Sequence, residues 1–106
     1  MNPHLVSTDW LAERLDDPGV VAVDGSWHLP DANRDGEKEF LERHIPGAAY
    51  FDINRIADTS TTLPHMMPSA EFFSEEAGRL GVGDGMTIVV YDGSGLFAAP
   101  RVWWTF

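Results

Sequence analysis

The run Glu42-Arg43-His44-Ile45-Pro46-Gly47-Ala48-Ala49 constrains the fold of this chain more than any other stretch. Charged, helix-like residues lie before it, and the apolar Ala48-Ala49-Tyr50-Phe51 lie after it. Between them stands Pro-Gly, a strong turn signal. Pro46 sets its own φ and pushes Ile45 toward extended geometry. Gly47 can take either sign of φ, so the backbone can reverse without a Cβ clash. A chain that ends a helix and enters a buried strand this abruptly is built from alternating helices and strands.

The remaining segments repeat that alternation. Ser7 is a good N-cap, with Val6 and Leu11 spaced as a hydrophobic staple. Trp10, Leu11 and Leu15 follow as one apolar face, and Asp16-Asp17-Pro18-Gly19 stops the helix. The run from Val20 to Asp24 is β-branched and flanked by turn residues, which predicts a buried strand. A polar stretch from Pro30 to Lys38 leads into a short helix carrying Phe40, Leu41 and His44, and the strand at 48–51 follows. The stretch 54–68 reads as a long Thr, Ser and Pro loop, of a length usually tied to function or mobility. Ser69 caps a helix whose Phe73, Ala77 and Leu80 recur at helical spacing up to Gly81, and 87–91 is the clearest strand. Strands alternating with helices imply right-handed crossovers and an open parallel sheet with helices on both faces.

Charge narrows the function classes. Against 17 Asp and Glu there are seven Lys and Arg, a net charge of −10. Nucleic-acid phosphates and anionic membrane surfaces both need basic residues, so neither is an expected partner. No apolar run reaches the ~20 residues of a membrane span, and the first residues lack a signal peptide's basic and apolar regions. With no cysteine there is no disulfide framework, and a cytoplasmic setting is expected. The four histidines are scattered without metal-site spacing, so no zinc or other metal is expected. Gly81-Val82-Gly83-Asp84-Gly85 precedes a strand, whereas a dinucleotide fingerprint follows one. Gly93-Ser94-Gly95 lacks the spacing of a nucleophile elbow.

Five blocks in order carry a family resemblance: Val23-Asp24-Gly25-Ser26-Trp27, Arg43-His44-Ile45-Pro46-Gly47-Ala48, Tyr50-Phe51-Asp52-Ile53, Val89-Val90-Tyr91-Asp92-Gly93 and Ala99-Pro100-Arg101-Val102-Trp103-Trp104. Together they resemble the rhodanese superfamily, and within it the N-terminal, non-catalytic domain of two-domain thiosulfate or 3-mercaptopyruvate sulfurtransferases. The resemblance implies a sulfurtransferase that takes sulfane sulfur onto a cysteine as a persulfide and passes it to a thiol, to an acceptor such as thioredoxin, or to cyanide. It implies no organic cofactor. It also implies that residues 1–106 are a partial N-terminal domain, cut within the helix that starts near Pro100, and that a C-terminal catalytic domain of the same polypeptide is the main partner. Without that continuation Trp103, Trp104 and Phe106 are expected to be left uncovered.

The same resemblance picks out site residues. In catalytic rhodanese domains the cysteine opens the loop after the strand corresponding to 87–91, and Asp92 stands at that place here. An aspartate cannot carry a persulfide, because the chemistry needs a polarizable thiolate. In the mercaptopyruvate branch a histidine matching His65 faces the cleft, with a carboxylate partner that falls at Asn54. Asn can hold an imidazole by a hydrogen bond but supplies no charge. Trp27 and Phe97 match positions that line the cleft. Read without the family, His65 is a loop histidine, Trp27 and Phe97 are core or rim aromatics, and His44 braces the helix-to-strand turn. A non-catalytic rhodanese-like module for binding or regulation is the alternative function. A phosphatase domain of related fold is disfavoured, since it too needs a cysteine.

Overall fold

A computed structural model describes residues 4–93 and 98–106. Helix α1 (Thr8–Ala12) leads to strand β1 (Val20–Asp24). A 3-10 turn (Pro30–Ala32) and helix α2 (Gly36–Glu42) then lead to strand β2 (Ala49–Tyr50). Helix α3 (Ala70–Arg79), strand β3 (Thr87–Tyr91) and helix α4 (Ala99–Thr105) complete the order. The strands form one parallel sheet in the order β2-β1-β3.

The Pro-Gly junction works as its residues dictate. Arg43 leaves α2 in extended geometry, and His44 turns its Nδ1 back onto the Phe40 carbonyl at 2.7 Å. Gly47 then takes φ +79°, a region that disfavours any Cβ. The Ile45 amide would be orphaned at this break, and it donates to the Tyr91 hydroxyl at 3.2 Å. Tyr91 thereby ties the turn to the far edge strand.

Both serine caps form. Ser7 accepts from the Trp10 amide and Ser69 from the Phe72 amide. The first helix is shorter than its apolar spacing predicts, and Leu15 lies exposed instead of extending the Leu11 face. From Arg14 on the amides bond three residues back, as in Arg14 to Leu11 at 2.9 Å and Asp17 to Arg14 at 3.0 Å, and this tighter winding rotates Leu15 off the row. Leu41 likewise points to solvent at 74% exposure, leaving Phe40 to pack against His44 and Tyr50.

Register sets up the rest. Val23 lies opposite Ala49 and Val90, and Asp24 opposite Tyr50 and Tyr91, so the three strands end level. The core beneath that rim contains Val23, Phe51, Ile53, Ile56, Ala98 and Val102, with Phe73, Leu80 and Ile88 packed around it. Helix α4 closes on the end of β1 so tightly that a Cβ on Gly25 would sit 2.6 Å from Val102 Cγ2. Its Trp103 and Trp104 are exposed, as expected from the sequence, whereas Phe106 just beyond it packs against Phe51 and Phe73 and is only partly open. Among the described residues, no helix is long and apolar enough to cross a membrane.

Candidate functional site

Because the strands end level, Gly25-Ser26-Trp27, Phe51 to Asn54, and Asp92-Gly93 all emerge on one rim. Connection β1→β2 leaves the central strand to one side, and β3 lies on its other side. The gap between the ends of β1 and β3 is therefore the switch point where open α/β sheets form ligand sites.

That gap is closed by the chain's own polar groups. Asp24 and Ser26 are 6% and 4% exposed. The Ser26 amide and hydroxyl both donate to Asp24 Oδ1, at 2.9 and 2.6 Å. The Ser26 Oγ in turn accepts from the Gly93 amide at 2.7 Å. Gly25 donates to the Tyr91 carbonyl, and the Tyr50 hydroxyl to the Ser26 carbonyl. Burial, with Asp52 and Asp24 nearby, pushes the Tyr50 hydroxyl far up, so it stays a donor.

Asp92 takes part in the same closure. Its Oδ2 accepts from the Ala98 amide at 2.9 Å and the Ala99 amide at 2.6 Å. Helix α4 has no side-chain cap of its own at Ala98, so a carboxylate six residues upstream satisfies its first amides and faces the favourable end of its dipole. Asp92 is thus a structural carboxylate in this chain.

A second group lies along the exits of β1 and β2. His65 Nε2 is 2.8 Å from Asn54 Oδ1, and the His65 ring stands edge-on to Trp27, with centroids 4.9 Å apart and planes at 84°. With the amide oxygen as acceptor, Nε2 carries the proton and Nδ1 is the basic nitrogen. His65 has φ +58°, a left-handed conformation that a residue with a Cβ adopts at a cost. Asn54 is braced by its amide on Asp52 Oδ1. The loop behind it is pinned to α3 by Arg55, whose two nitrogens reach the buried Glu76 at 3.2 and 3.0 Å. The Arg55 hydrogen bonds hold the Glu76 carboxyl below the usual glutamate range.

Of the residues singled out from sequence, Trp27, Asn54 and His65 come together, Asp92 caps α4, and Phe97 lies outside the described residues. His44 braces its turn, His4 contacts Trp103, and His28 joins Glu39, which also takes Arg34 in a two-pronged bond. Among the described residues, no three acidic or histidine side chains converge as a metal site. An open hollow of about 530 Å³, lined by Ala57, Asp58, Ser60, Met67, Ser69 and Phe72, includes none of the site residues. Sequence reading missed the Asp24–Ser26–Gly93 chain and the Arg55–Glu76 pair. Asp24-Gly25-Ser26 could have signalled the first, since Asp followed two residues on by Ser favours local side-chain bonds. No signal pairs Arg55 with Glu76, which lie 21 residues apart.

The family model of the rhodanese-like domain matches residues 7–106. Human 3-mercaptopyruvate sulfurtransferase is 52% identical over 96% of this chain and 36% of that protein. Thiosulfate/3-mercaptopyruvate sulfurtransferase 2 of Arabidopsis thaliana is 46% identical over 99% of the chain and 31% of that protein. The crystal structure of the Escherichia coli 3-mercaptopyruvate enzyme SseA superposes with a TM-score of 0.90 at 41% identity, over 98% of this chain and 40% of that one. The chain spans about a third of the length of these curated relatives.

Proposed function

Because the chain belongs to the rhodanese-like domain family, we propose that it is the N-terminal, partial rhodanese domain of a two-domain sulfurtransferase, which moves sulfur from 3-mercaptopyruvate or thiosulfate to a thiol such as thioredoxin, or to cyanide. The nucleophilic cysteine is assigned to a second domain, since these 106 residues contain none. There a thiolate attacks the donor sulfur, the bond to carbon or to the second sulfur breaks, and its electron pair leaves on pyruvate enolate or sulfite. The acceptor thiolate then takes the sulfur from the persulfide. The enzyme works in the cytoplasm on this reading.

The observation that carries the proposal is the pairing on one rim of a loop committed to structure by Asp92 with an imidazole held ready by Asn54 and Trp27. In this reading Trp27 and His65 belong to one wall of the inter-domain cleft. His65 moves the proton that mercaptopyruvate cleavage requires, and Asn54 is its positioning residue. Thiosulfate cleavage expels sulfite and has less need of that proton, so the two donors separate the roles.

The test is made in the full-length protein. His65→Met is expected to lower kcat/KM for mercaptopyruvate by about a hundredfold or more, the lower range for loss of a positioned acid or base, with a smaller fall for thiosulfate. Asn54→Asp is expected to move the basic limb of the mercaptopyruvate pH profile upward, because a carboxylate favours the imidazolium. Equal losses for both donors would remove His65 from the chemistry. The absence of a downstream Cys-Gly-x-Gly loop would favour the binding-module reading, in which the Asp92-capped loop is the whole story.

A further inference from the structure

We propose that Glu76 is a positioning residue for the His65 imidazole, acting through Arg55 and the turn that carries Asn54, an inference that rests on the sulfur-transfer reading above. Among the described residues the buried carboxylates are Asp24 and Glu76. Asp24 is consumed at the sheet end by Ser26. Glu76 lies on α3 beside the buried Ala77, and one helical turn from Phe73, which packs on the core. A buried carboxylate is unfavourable unless it is paired. Its pair comes from outside the helix, with Arg55 Nε and Nη2 at 3.2 and 3.0 Å from its two oxygens. Arg79, on the same helix, stands at 4.0 Å.

The two-pronged bond orients a whole turn. Within it, Asp52 takes the Asn54 and Arg55 amides on Oδ1 and the Ile56 amide on its carbonyl. Those bonds set the shape of the turn, and Ile53 and Ile56 seat it on the core. Apolar seating is non-directional. The Arg55 side chain is itself exposed, so its planar fork on the carboxylate, and not burial, supplies the direction. Asn54, next to Arg55, presents Oδ1 to His65 Nε2 at 2.8 Å.

His65 depends on such support. At φ +58° it holds a conformation that persists only where the surroundings over-determine it. The Met66 carbonyl accepts from the Asp58 amide at 2.8 Å, which closes the loop, and Trp27 meets the imidazole edge-on. Neither contact selects the tautomer. The Asn54 oxygen does, by keeping the proton on Nε2. A shift of Asn54 frees the ring to turn and to carry its proton on the other nitrogen. The Arg55–Glu76 pair therefore acts on proton transfer from behind, without touching the substrate.

The experiment uses the full-length protein and reads the ratio of kcat/KM for mercaptopyruvate to that for thiosulfate, from which the amount of folded enzyme cancels. E76Q is expected to lower the ratio about tenfold, less than the ~100-fold that a 1 Å misplacement can cost. R55M, at an exposed side chain, breaks the same pair from the other end and is expected to give the same fall, with the double variant no lower than either. In an H65M background, E76Q is expected to change the ratio by less than about twofold. E75Q, which removes an exposed charge from the same helix, is expected to leave the ratio unchanged. Equal losses for both donors in E76Q and R55M would overturn the inference. So would an E76Q effect that persists in the H65M background, or a fall in E75Q that matches it. An H65M variant with an unchanged ratio defeats the reading beneath, and the inference with it. A ratio that falls in H65M but in neither E76Q nor R55M defeats the positioning role alone.

Discussion

Two regions on the same rim of the sheet have opposite characters. Between the ends of β1 and β3, Asp24, Ser26, Gly93 and Asp92 meet one another or the α4 amides at 2.6–2.9 Å, largely away from solvent. Along the 54–68 loop, His65 is hydrogen-bonded to the exposed side-chain amide of Asn54 and has a left-handed backbone. In the first region polar groups are consumed in holding the structure. In the second they are held in place with one ring nitrogen uncommitted by Asn54. At this sheet end the carboxylate at the exit of β3 turns the first α4 amides to the protein itself.

Substitutions should respond to that contrast. Asp92→Ala is expected to cost about 2–3 kcal/mol, since it removes a charged acceptor from two helix amides. Chemical denaturation of the parent and variant measures it, and a loss within the ordinary surface range of about 0.5 kcal/mol would break the picture of a self-closed loop. Ser26→Ala should cost about 1–2 kcal/mol by leaving the Gly93 amide unpaired. The loss should be less than additive with Asp92→Ala if both act on one loop.

Acid sharpens the comparison from the loop side. Arg55 keeps the Glu76 carboxyl lower in the folded state than in the unfolded chain. Its contribution is therefore present above the ordinary glutamate value of about 4.3 and is lost as pH falls through the lowered folded value. Glu76→Gln should flatten that part of the stability profile and release the 54–68 loop to faster exchange, while the Asp92 loop keeps its protection. Simultaneous loss of both would show that the regions are one unit. The smallest effect is expected at His65→Asn, within about 0.5 kcal/mol, because Asn tolerates the left-handed backbone that His65 occupies. A loss comparable to that of Asp92→Ala would make the imidazole part of the scaffold.

Much of the frame was legible in the residues. Ser7 and Ser69 cap as their hydroxyls allow, Pro46-Gly47 turns the chain, and the runs at 20–24 and 87–91 pair in parallel. The union of His65 with Asn54 was legible through family likeness, and Asn in place of a carboxylate was visible as a departure. Burial on α1 and α2 was not, because the exposure of Leu15 and Leu41 depends on where each helix stops and what lies opposite.

What the sequence by itself determined is local: the caps, the hinge, the strands and the lack of a thiol are properties of neighbouring residues and of composition. Only the tertiary structure decided that Asp92 would cap α4, that Ser26 would bridge Asp24 to Gly93, and that Tyr91 would hold the Ile45 amide. Each of those bonds joins groups on different elements, or on the two sides of a loop. Their existence depends on strands ending level and on Gly25 letting α4 approach, and no local preference encodes those distances.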